Sequence, residues 1–348
     1  MLTVVCPGKT ADQRFALTLE HALRGHRAEI VTRFDPDVPL RDRRILFAVP
    51  LDKTGVNHDL YDLLAILRTH PDYLAGSMGG VFIDGQGDLY TKSAARELVL
   101  AANRAGCAFV GRPLVEGTGS LGNFAVQAKN GSCSLEEAYR RAAADLVNRV
   151  ETFTPPRVQR PRLAVFHASS YGPSNTLDLW RRVHKDLDLQ CDVTETGLRN
   201  GTLEDCAGCP YTMCLHFGEK GECFYGGVMV REVYPAIREA DGVVLLYPNY
   251  NDALSANLTA AINRLTALYR TAPFHDKAVF AIVVSGYSGG DIVASQVVSA
   301  LNMNKGFWLP PHFCLLETAN NAGTALQLEG IGERLDRFTE NILRQLRE

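Results

Sequence analysis

The stretch that decides the fold is LAVFHASSYGPSNT, residues 163–176. Its first half is a continuous apolar run, which is typical of a strand that is covered on both faces of a sheet. Its second half is a turn rich in hydroxyl and amide groups, and a helical pattern starts near Ser174. A buried strand followed directly by a helix predicts a parallel sheet with helices on both faces.

The same alternation of apolar run and amphipathic helix extends in both directions from this stretch. The apolar runs lie at 2–6, 28–34, 45–51, 79–85 and 107–111, and then at 163–169, 191–198, 242–248, 278–286 and 312–319. Five strands in repeats of this kind suit the flavodoxin-like strand order 2-1-3-4-5. We therefore predict an α/β fold of two tandem flavodoxin-like domains, each with a doubly wound, five-stranded parallel sheet.

The stretch ETFTPPRVQRPR, residues 151–162, separates the two sets of strands and contains three prolines. Prolines among mixed charges favour a linker. We predict a first domain over 1–150, a linker over 151–161 and a second domain over 162–348. The loop after the first strand of the first domain, PGKTADQR (7–14), lacks a run of hydroxyl donors, and Asp12 would repel a phosphate. The first domain is therefore expected to carry no cofactor.

Charge and hydropathy narrow the range of partners and locations. The net charge of −3 and the pI near 6.3 argue against a nucleic-acid or anionic-membrane partner. No window reaches the length of uninterrupted apolar sequence that a transmembrane helix needs. The start of the sequence, MLTVVCPGKTADQ, reads as a first strand rather than as a secretion signal. These features predict a cytoplasmic protein.

Ligands of doubly wound sheets bind beyond the carboxyl ends of the strands, where the strand order reverses. In the second domain, the loop after the first strand is rich in hydrogen-bonding side chains that precede or open a helix. They are Ser169, Ser170, Ser174, Asn175 and Thr176. Unpaired backbone N–H groups at a helix N-terminus favour an anion, so this loop is a candidate phosphate site. The alternative is a plain helix cap.

The loops after the third and fourth strands offer groups that could contact a planar heterocycle. The residues concerned are Pro248, Asn249, Tyr250 and Asn251 in YPNYNDALSAN, and Ser285, Gly286, Tyr287 and Gly289 in SGYSGGD. Glycines let the backbone approach a ligand closely, and each tyrosine supplies a stacking face. The alternative is that these are ordinary connecting loops with exposed aromatic residues.

Four separated motifs carry a resemblance to a known family. The stretches ASSYGPSNT, EADGVVLLYPNY and SANLTAAINR resemble the NADPH-dependent FMN reductase branch of the flavodoxin-like superfamily, over residues 162–320. The fourth motif is a set of cysteines after the second strand, which resembles that of the iron-sulfur flavoprotein members. In the helix after the third strand, relatives often carry a Lys and an Asp where this chain has Thr259 and Asn263, whereas Arg264 remains.

The resemblance implies FMN as the cofactor, a reduced nicotinamide as electron donor and a homo-oligomer. It implies that the phosphate is held by Ser169, Ser174, Asn175 and Thr176, and that the isoalloxazine is enclosed by Pro248, Asn249, Tyr250, Asn251, Ser285, Gly286 and Gly289. We expect an NAD(P)H oxidoreductase that reduces a small-molecule acceptor or a redox protein. Tyr250 and Tyr287 are the candidate catalytic residues, because they would shape the substrate face. The alternatives are an electron-transfer flavoprotein without a small substrate, or a scaffold that has lost its cofactor.

The four cysteines lie in DCAGCPYTMCLHFGEKGEC, residues 205–223. Cys206, Cys209, Cys214 and Cys223 give the spacing C-x2-C-x4-C-x8-C, and the iron-sulfur relatives have a tighter spacing between the second and third cysteines. A C-x2-C pair chelates a metal through one turn, and two more thiolates complete four ligands. A [4Fe-4S] cluster is the leading interpretation. Zinc, a redox-active cysteine pair and a loop without metal remain open.

Overall fold

The computed structural model describes residues 1–8, 12–169 and 172–348. The chain divides into two compact units, Met1–Thr154 and Pro155–Glu348. Each unit contains one five-stranded parallel sheet. Within the described ranges, no helix combines the length and the apolar character needed to cross a membrane.

The first unit mostly alternates strands and helices, except that no helix separates its second and third strands. Its strands are β1 (Leu2–Val5), β2 (Ala28–Val31), β3 (Arg44–Leu51), β4 (Met78–Gly85) and β5 (Ala108–Gly117). Its helices are α1 (Gln13–Ala22), α2 (His58–Thr69), α3 (Thr91–Arg104), α4 (Ala125–Gly131) and α5 (Leu135–Thr152). The strand order is β2-β1-β3-β4-β5. The central strands β3 and β4 are almost wholly buried, as their uninterrupted apolar sequences predict.

The second unit repeats this arrangement. Its strands are β6 (Arg162–His167), β7 (Asp192–Gly197), β8 (Gly242–Asn249), β9 (Ala278–Ser285) and β10 (Cys314–Thr318). Its α-helices are α6 (Asn175–Leu187), α7 (Tyr211–Glu219), α8 (Tyr234–Glu239), α9 (Ala256–Tyr269), α10 (Gly290–Val297) and α11 (Ile331–Leu346). The strand order is β10-β9-β8-β6-β7. Read in the other direction this is again 2-1-3-4-5, so the predicted fold class of two tandem flavodoxin-like sheets is confirmed.

Three local features differ from the sequence-based expectation. The cysteine-rich stretch contains the helix α7, although its glycines and proline suggested a loop. Segments of π-helix, Met229–Val233 and Val298–Lys305, precede α8 and follow α10, where the sequence pattern indicated helix without distinguishing its type. Helix α5 ends at Thr152, so it extends two residues into the stretch that was predicted to be a linker.

The strand order places the loops of interest on one edge of the second sheet. Because β6, β8 and β9 are adjacent and parallel, their carboxyl ends emerge side by side. The less apolar strand β7 forms the edge of the sheet next to β6, and it leads into the cysteine-rich stretch. The loops with candidate cofactor residues therefore share one rim.

Candidate functional site

Three hydroxyl groups cluster at the start of α6. Ser174 is the N-cap residue of this helix, and its Oγ lies 3.0 Å from Ser169 Oγ and 3.2 Å from Thr176 Oγ1. Its contact with the N–H of Leu177 is long, at 3.5 Å. The cluster therefore places neutral donors beside the unpaired N–H groups of a helix N-terminus, an arrangement that suits an anion. Ser170, the remaining predicted hydroxyl, lies outside the described residues.

The side chain of Asn175 is engaged elsewhere. Its Nδ2 donates to the carbonyl oxygens of Ala319 (3.0 Å) and Asn321 (2.9 Å), and its Oδ1 accepts from the N–H of Ala325 (3.2 Å). Asn175 thus fastens the loop after β10 to the first turn of α6. Its side-chain amide is therefore used within the wall of the site and is not free to bind a phosphate as predicted.

Asn249 connects the loop after β8 to the loop after β9. Its Nδ2 donates to Asp252 Oδ1 (3.1 Å), Ser285 Oγ (3.1 Å) and the Ser288 carbonyl (2.9 Å). Its Oδ1 is buried and has no hydrogen-bond partner. Buried polar atoms without partners are rare in native proteins and usually mark a missing ligand or water. This oxygen is therefore available to a group bound at the rim.

The loop after β8 has a fixed backbone shape that leaves its aromatic residue exposed. Asn251 and Asp252 adopt left-handed conformations, with φ of 57° and 53°. Gln296 of α10 braces the loop by accepting from the Leu254 N–H (3.0 Å) and donating to the Asp252 carbonyl (2.8 Å). Tyr250 remains 66% exposed at the tip. A ring held on a rigid loop is suited to stacking against a ligand.

Two side chains near this loop complete its surroundings. Pro248 lies half-buried near the end of β8, directly before Asn249. Ser255, the N-cap residue of α9, has a buried Oγ with no partner. Ser255 Oγ is therefore the second buried atom without a hydrogen-bond partner in this part of the rim. It was not predicted from the sequence. A serine at a helix N-cap gives no signal in the sequence beyond capping.

The loop after β9 presents Tyr287, which is 81% exposed. Its hydroxyl accepts a hydrogen bond from Asn320 Nδ2 at 2.9 Å. A side chain at Gly286 would approach Asn320 Oδ1 to 3.1 Å, and one at Gly289 would collide with Asp252. Glycine is therefore required at 289, whereas a side chain at 286 would need only a small movement of Asn320. Asn320 was not predicted from the sequence, although the Asn-Asn-Ala-Gly run after the fifth strand is a signal for an ordered turn.

A buried imidazole lies at the carboxyl end of β6. His167 Nε2 is 3.4 Å from Glu195 Oε1, and Trp180 Nε1 donates to Glu195 Oε2 at 3.0 Å. The contact with His167 is the main cause that lowers the pKa of Glu195. His167 Nδ1 is buried without a partner. His167 directly precedes the hydroxyl-rich turn, and sequence reasoning missed it because a single histidine in an apolar run carries no spacing signal.

The four cysteines line a single cavity of about 290 Å³. They share its wall with aromatic residues and with two arginines, Arg264 of α9 and Arg270 at the C-cap of that helix. Among the residues that the structure describes, however, no group of three His, Cys, Asp or Glu side chains is arranged to bind a metal ion. A tetrahedral zinc site needs sulfurs about 3.8 Å apart, given a Zn–S bond of about 2.3 Å. The described residues therefore give no support to a zinc site or another single-ion site.

Polar contacts from α9 hold the cysteine stretch in place. Asp205 Oδ1 accepts from the Cys206 N–H (2.6 Å) and from Asn263 Nδ2 (3.0 Å). Arg264 donates to the carbonyl oxygens of Glu204 (3.3 Å) and Gly226 (2.7 Å), on either side of the cysteines. The position of Asn263, where relatives often have an acidic residue, thus supports this stretch of the same chain.

The structure therefore brings the predicted rim residues together in two linked groups. Asn249 joins the loops after β8 and β9, whereas Asn175 and Asn320 join α6 to the same rim through the loop after β10. The cysteines form a separate cavity under α9. The arrangement provides an anion-binding helix end, buried hydrogen-bonding atoms and two exposed aromatic rings along one edge of a sheet.

One segment of the second unit matches a known protein family. Residues 161–321 match the profile of the family described as NADPH-dependent FMN reductase. No curated protein sequence matches the chain. Similar solved structures include RosB with a bound 8-demethyl-8-formylriboflavin-5'-phosphate intermediate (14% identity, 53% of this chain, 78% of that chain, TM-score 0.42). A second is the NAD(P)H:quinone oxidoreductase of Methanothermobacter marburgensis (13% identity, 54% of this chain, 99% of that chain, TM-score 0.41). A third is an azoreductase of Bacillus anthracis (16% identity, 53% of this chain, 97% of that chain, TM-score 0.36). Residues 161–321 of this chain form a domain of the NADPH-dependent FMN reductase family.

Proposed function

We propose that the second unit binds FMN at the rim formed by the loops after β6, β8 and β9, and reduces a small-molecule acceptor at the expense of NAD(P)H. The observation that carries this proposal is the pair of buried atoms without partners, Asn249 Oδ1 and Ser255 Oγ, on the rim that the family match covers. A flavin ring has both donors and acceptors along its edge, so it could satisfy such atoms. When bound, FMN would supply hydride and single-electron transfer.

The residues of this chain would bind and orient that group. Ser169, Ser174 and Thr176 provide hydroxyls at the positive end of α6, which favours the phosphate. Pro248, Asn249, Tyr250 and Asn251 lie on one side of the rim, whereas Ser285, Gly286 and Gly289 lie on the other. The exposed rings of Tyr250 and Tyr287 would flank the acceptor and restrict it to flat molecules such as quinones, azo compounds or nitro compounds.

A titration with FMN tests the proposal. Binding to the purified protein should quench flavin fluorescence, and anaerobic addition of NADPH or NADH should then bleach the bound flavin. Ser174→Ala removes the central hydroxyl of the cluster and should weaken FMN binding about tenfold, the loss of one hydrogen bond to a charged group. Ser288→Ala is the matched control, because Asn249 contacts only the backbone carbonyl of Ser288. If wild type and both variants fail to bind FMN, the protein is a cofactor-free scaffold and the proposal is wrong.

We propose in addition that the four-cysteine cavity accepts a [4Fe-4S] cluster. All four cysteines line one cavity, and Arg264 and Arg270 line it as well. A four-iron cluster takes four cysteine thiolates and holds them farther apart than a single ion does, so a cavity lined by four cysteines suits it chemically. When bound, the cluster would supply one-electron transfer. Iron and sulfide analysis after anaerobic purification tests this, and equal retention of iron by Cys209→Ser and wild type would refute it.

The cysteine cavity favours a second candidate function, electron transfer to a redox protein. This function predicts slow oxidation of NAD(P)H with quinones and azo dyes but fast reduction of one-electron acceptors. Steady-state rates with both classes of acceptor separate the two candidates. We also propose that the protein acts as a homo-oligomer in the cytoplasm, and sedimentation of the FMN-loaded protein tests the assembly.

A further inference from the structure

Arg264 is a buried cation whose guanidinium contacts only backbone oxygens. It is 3% exposed, it donates to the carbonyls of Glu204 and Gly226, and its Nε has no partner. Among the residues that the structure describes, no carboxylate lies within ion-pair distance of it. The carboxylate of Asp205, which is near enough to be affected electrostatically, is bonded to Cys206 and Asn263 instead. An uncompensated cation in a protein interior is costly unless an anion joins it.

Arg270 is the C-cap residue of α9 and lines the same cavity. Its guanidinium stacks over the ring of Tyr211, with Cζ 4.7 Å from the ring centroid, and its Nε is buried without a partner. The described part of the chain offers Arg270 no carboxylate partner either. One cavity therefore contains two arginines without carboxylate partners and four thiols.

The remaining charge on the wall does not balance these cations. The only acidic residue among those lining the cavity in the described chain is Glu222, and it is exposed to solvent. A carboxylate in solvent is screened and compensates a buried guanidinium poorly. The cavity thus has a positive interior and ligands that become negative when they bind iron.

We infer that Arg264 and Arg270 are the counterions of an anionic iron-sulfur group held by the four cysteines, and that they set its reduction potential. This inference rests on the proposed cluster. Four thiolates give the oxidised cluster a net negative charge, and one electron taken from a reductant adds a further negative charge. Nearby cations stabilise the more negative state, so the two guanidiniums raise the potential, and removing one lowers it.

A purely structural role is the competing explanation, and the chain offers a control for it. Arg238 also contacts the cysteine-rich stretch, through Nη2 and the Gly221 carbonyl at 3.4 Å. It does not line the cysteine cavity. Arg238→Gln therefore removes a guanidinium from the neighbourhood of the stretch without removing a charge from the cavity.

The experiment compares Arg270→Gln, Arg270→Lys, Arg264→Lys and Arg238→Gln with wild type after anaerobic reconstitution with iron and sulfide. Iron content is measured first, and the potential is then followed by electron paramagnetic resonance during titration with dithionite. We expect a lower potential for Arg270→Gln, a smaller shift for both lysine variants and no shift for Arg238→Gln. Loss of iron from Arg270→Gln but not from Arg270→Lys would also support the role of charge.

Two other results would overturn the inference. If all variants bind iron and share the potential of wild type, the arginines are structural, although the cluster proposal survives. The same conclusion follows if Arg270→Lys loses iron as fully as Arg270→Gln, because the lysine keeps the charge. If wild type binds no iron, the cluster proposal and the inference fall together, whereas FMN binding by the same sample is judged separately.

Discussion

Replacing Gly289 by alanine should lower both the stability of the second unit and its FMN affinity more than replacing a solvent-facing glycine. Gly289 precedes α10 with φ of 82°, a left-handed conformation that an L side chain rarely adopts. A Cβ at this position would lie 1.8 Å from Asp252 Oδ1 and 3.0 Å from Asn249 Nδ2. The same Asp252 oxygen accepts a hydrogen bond from Asn249. The new methyl group must therefore displace Asp252 and weaken the contact that joins the two loops.

The expected magnitude follows from two separate costs. The left-handed conformation costs an alanine about 1–2 kcal/mol. Loss of the hydrogen bond between Asn249 and Asp252 adds about 1 kcal/mol. Gly289→Ala should thus lower the free energy of unfolding of the second unit by about 2–3 kcal/mol. Because the displaced residues are proposed to line the flavin, FMN affinity should also fall at least about tenfold, which corresponds to about 1.4 kcal/mol.

Gly201→Ala is the matched control for the backbone cost alone. Gly201 has φ of 80°, and no atom lies within 4 Å of its added Cβ. Gly201→Ala should lower the free energy of unfolding by only about 1–2 kcal/mol and leave FMN affinity unchanged. Urea unfolding followed by tryptophan fluorescence reports on the correct unit, because both tryptophans, Trp180 and Trp308, belong to the second unit.

A double variant tests the proposed clash directly. Asp252→Ala removes the atom that the new methyl group would meet, so Gly289→Ala and Asp252→Ala should cost about 1 kcal/mol less together than the sum of the two single changes. Additive free-energy costs would contradict the proposed clash. So would a Gly289→Ala variant that is as stable as Gly201→Ala. Either result would mean that the close approach of these loops does not determine the stability of the rim.

Three further predictions concern the walls of the site. Asn175→Ala should lower the free energy of unfolding of the second unit by about 1–3 kcal/mol, because it removes the side-chain hydrogen bonds to the loop after β10. Urea unfolding measures this free energy, and an unchanged value would contradict the prediction. Glu195 has a lowered pKa in the folded state, so its stabilising contribution is present above about pH 4.3 and is lost as the pH falls through the folded pKa. Glu195→Gln should remove that part of the acid sensitivity, as followed by the fluorescence of Trp180, and identical acid unfolding curves would count against it. Asn320→Ala removes the hydrogen-bond donor to the Tyr287 hydroxyl. It should raise KM for a quinone with little change in FMN affinity. A change confined to FMN affinity would instead mean that Asn320 contacts the cofactor.

The sequence was sufficient for the fold because the signals were local and repeated. Strands such as β8 and β9 are uninterrupted apolar runs, and each is followed by an amphipathic helix, so class and strand order followed from spacing. The positions of rim residues followed from the rule that ligands bind at the carboxyl ends of strands. What could not be predicted was the direction of individual side chains. Asn175 lies at the predicted place, but its amide turns to the loop after β10, which depends on packing between residues far apart in sequence.

The cysteine-rich stretch shows the same limit. Its spacing suggested a metal-binding loop, yet α7 occupies about half of it. The arginines that accompany the cysteines come from α9 and its C-cap, much later in the chain. Arg264 was noted only as a feature shared with relatives. Its burial and its lack of a carboxylate partner became visible only when the two segments were brought together in the structure.

The contrast between the two sheets follows from the polar groups at their rims. In the first unit Asp12 caps α1 by accepting from the N–H of Arg14 (2.8 Å), and the Arg14 guanidinium binds Asp84 and the carbonyls of Gly85, Thr118 and Gly119. The Asp12 carboxylate thus caps the first helix of its unit, where the second unit has the hydroxyl of Ser174. The Arg14 guanidinium reaches from α1 to the carboxyl ends of β4 and β5.

The described residues of the first unit, 1–8 and 12–154, leave no buried side-chain nitrogen or oxygen without a partner. The second unit leaves His167 Nδ1, Asn249 Oδ1 and Ser255 Oγ without one. These three atoms favour the proposed placement of FMN at the rim of the second unit.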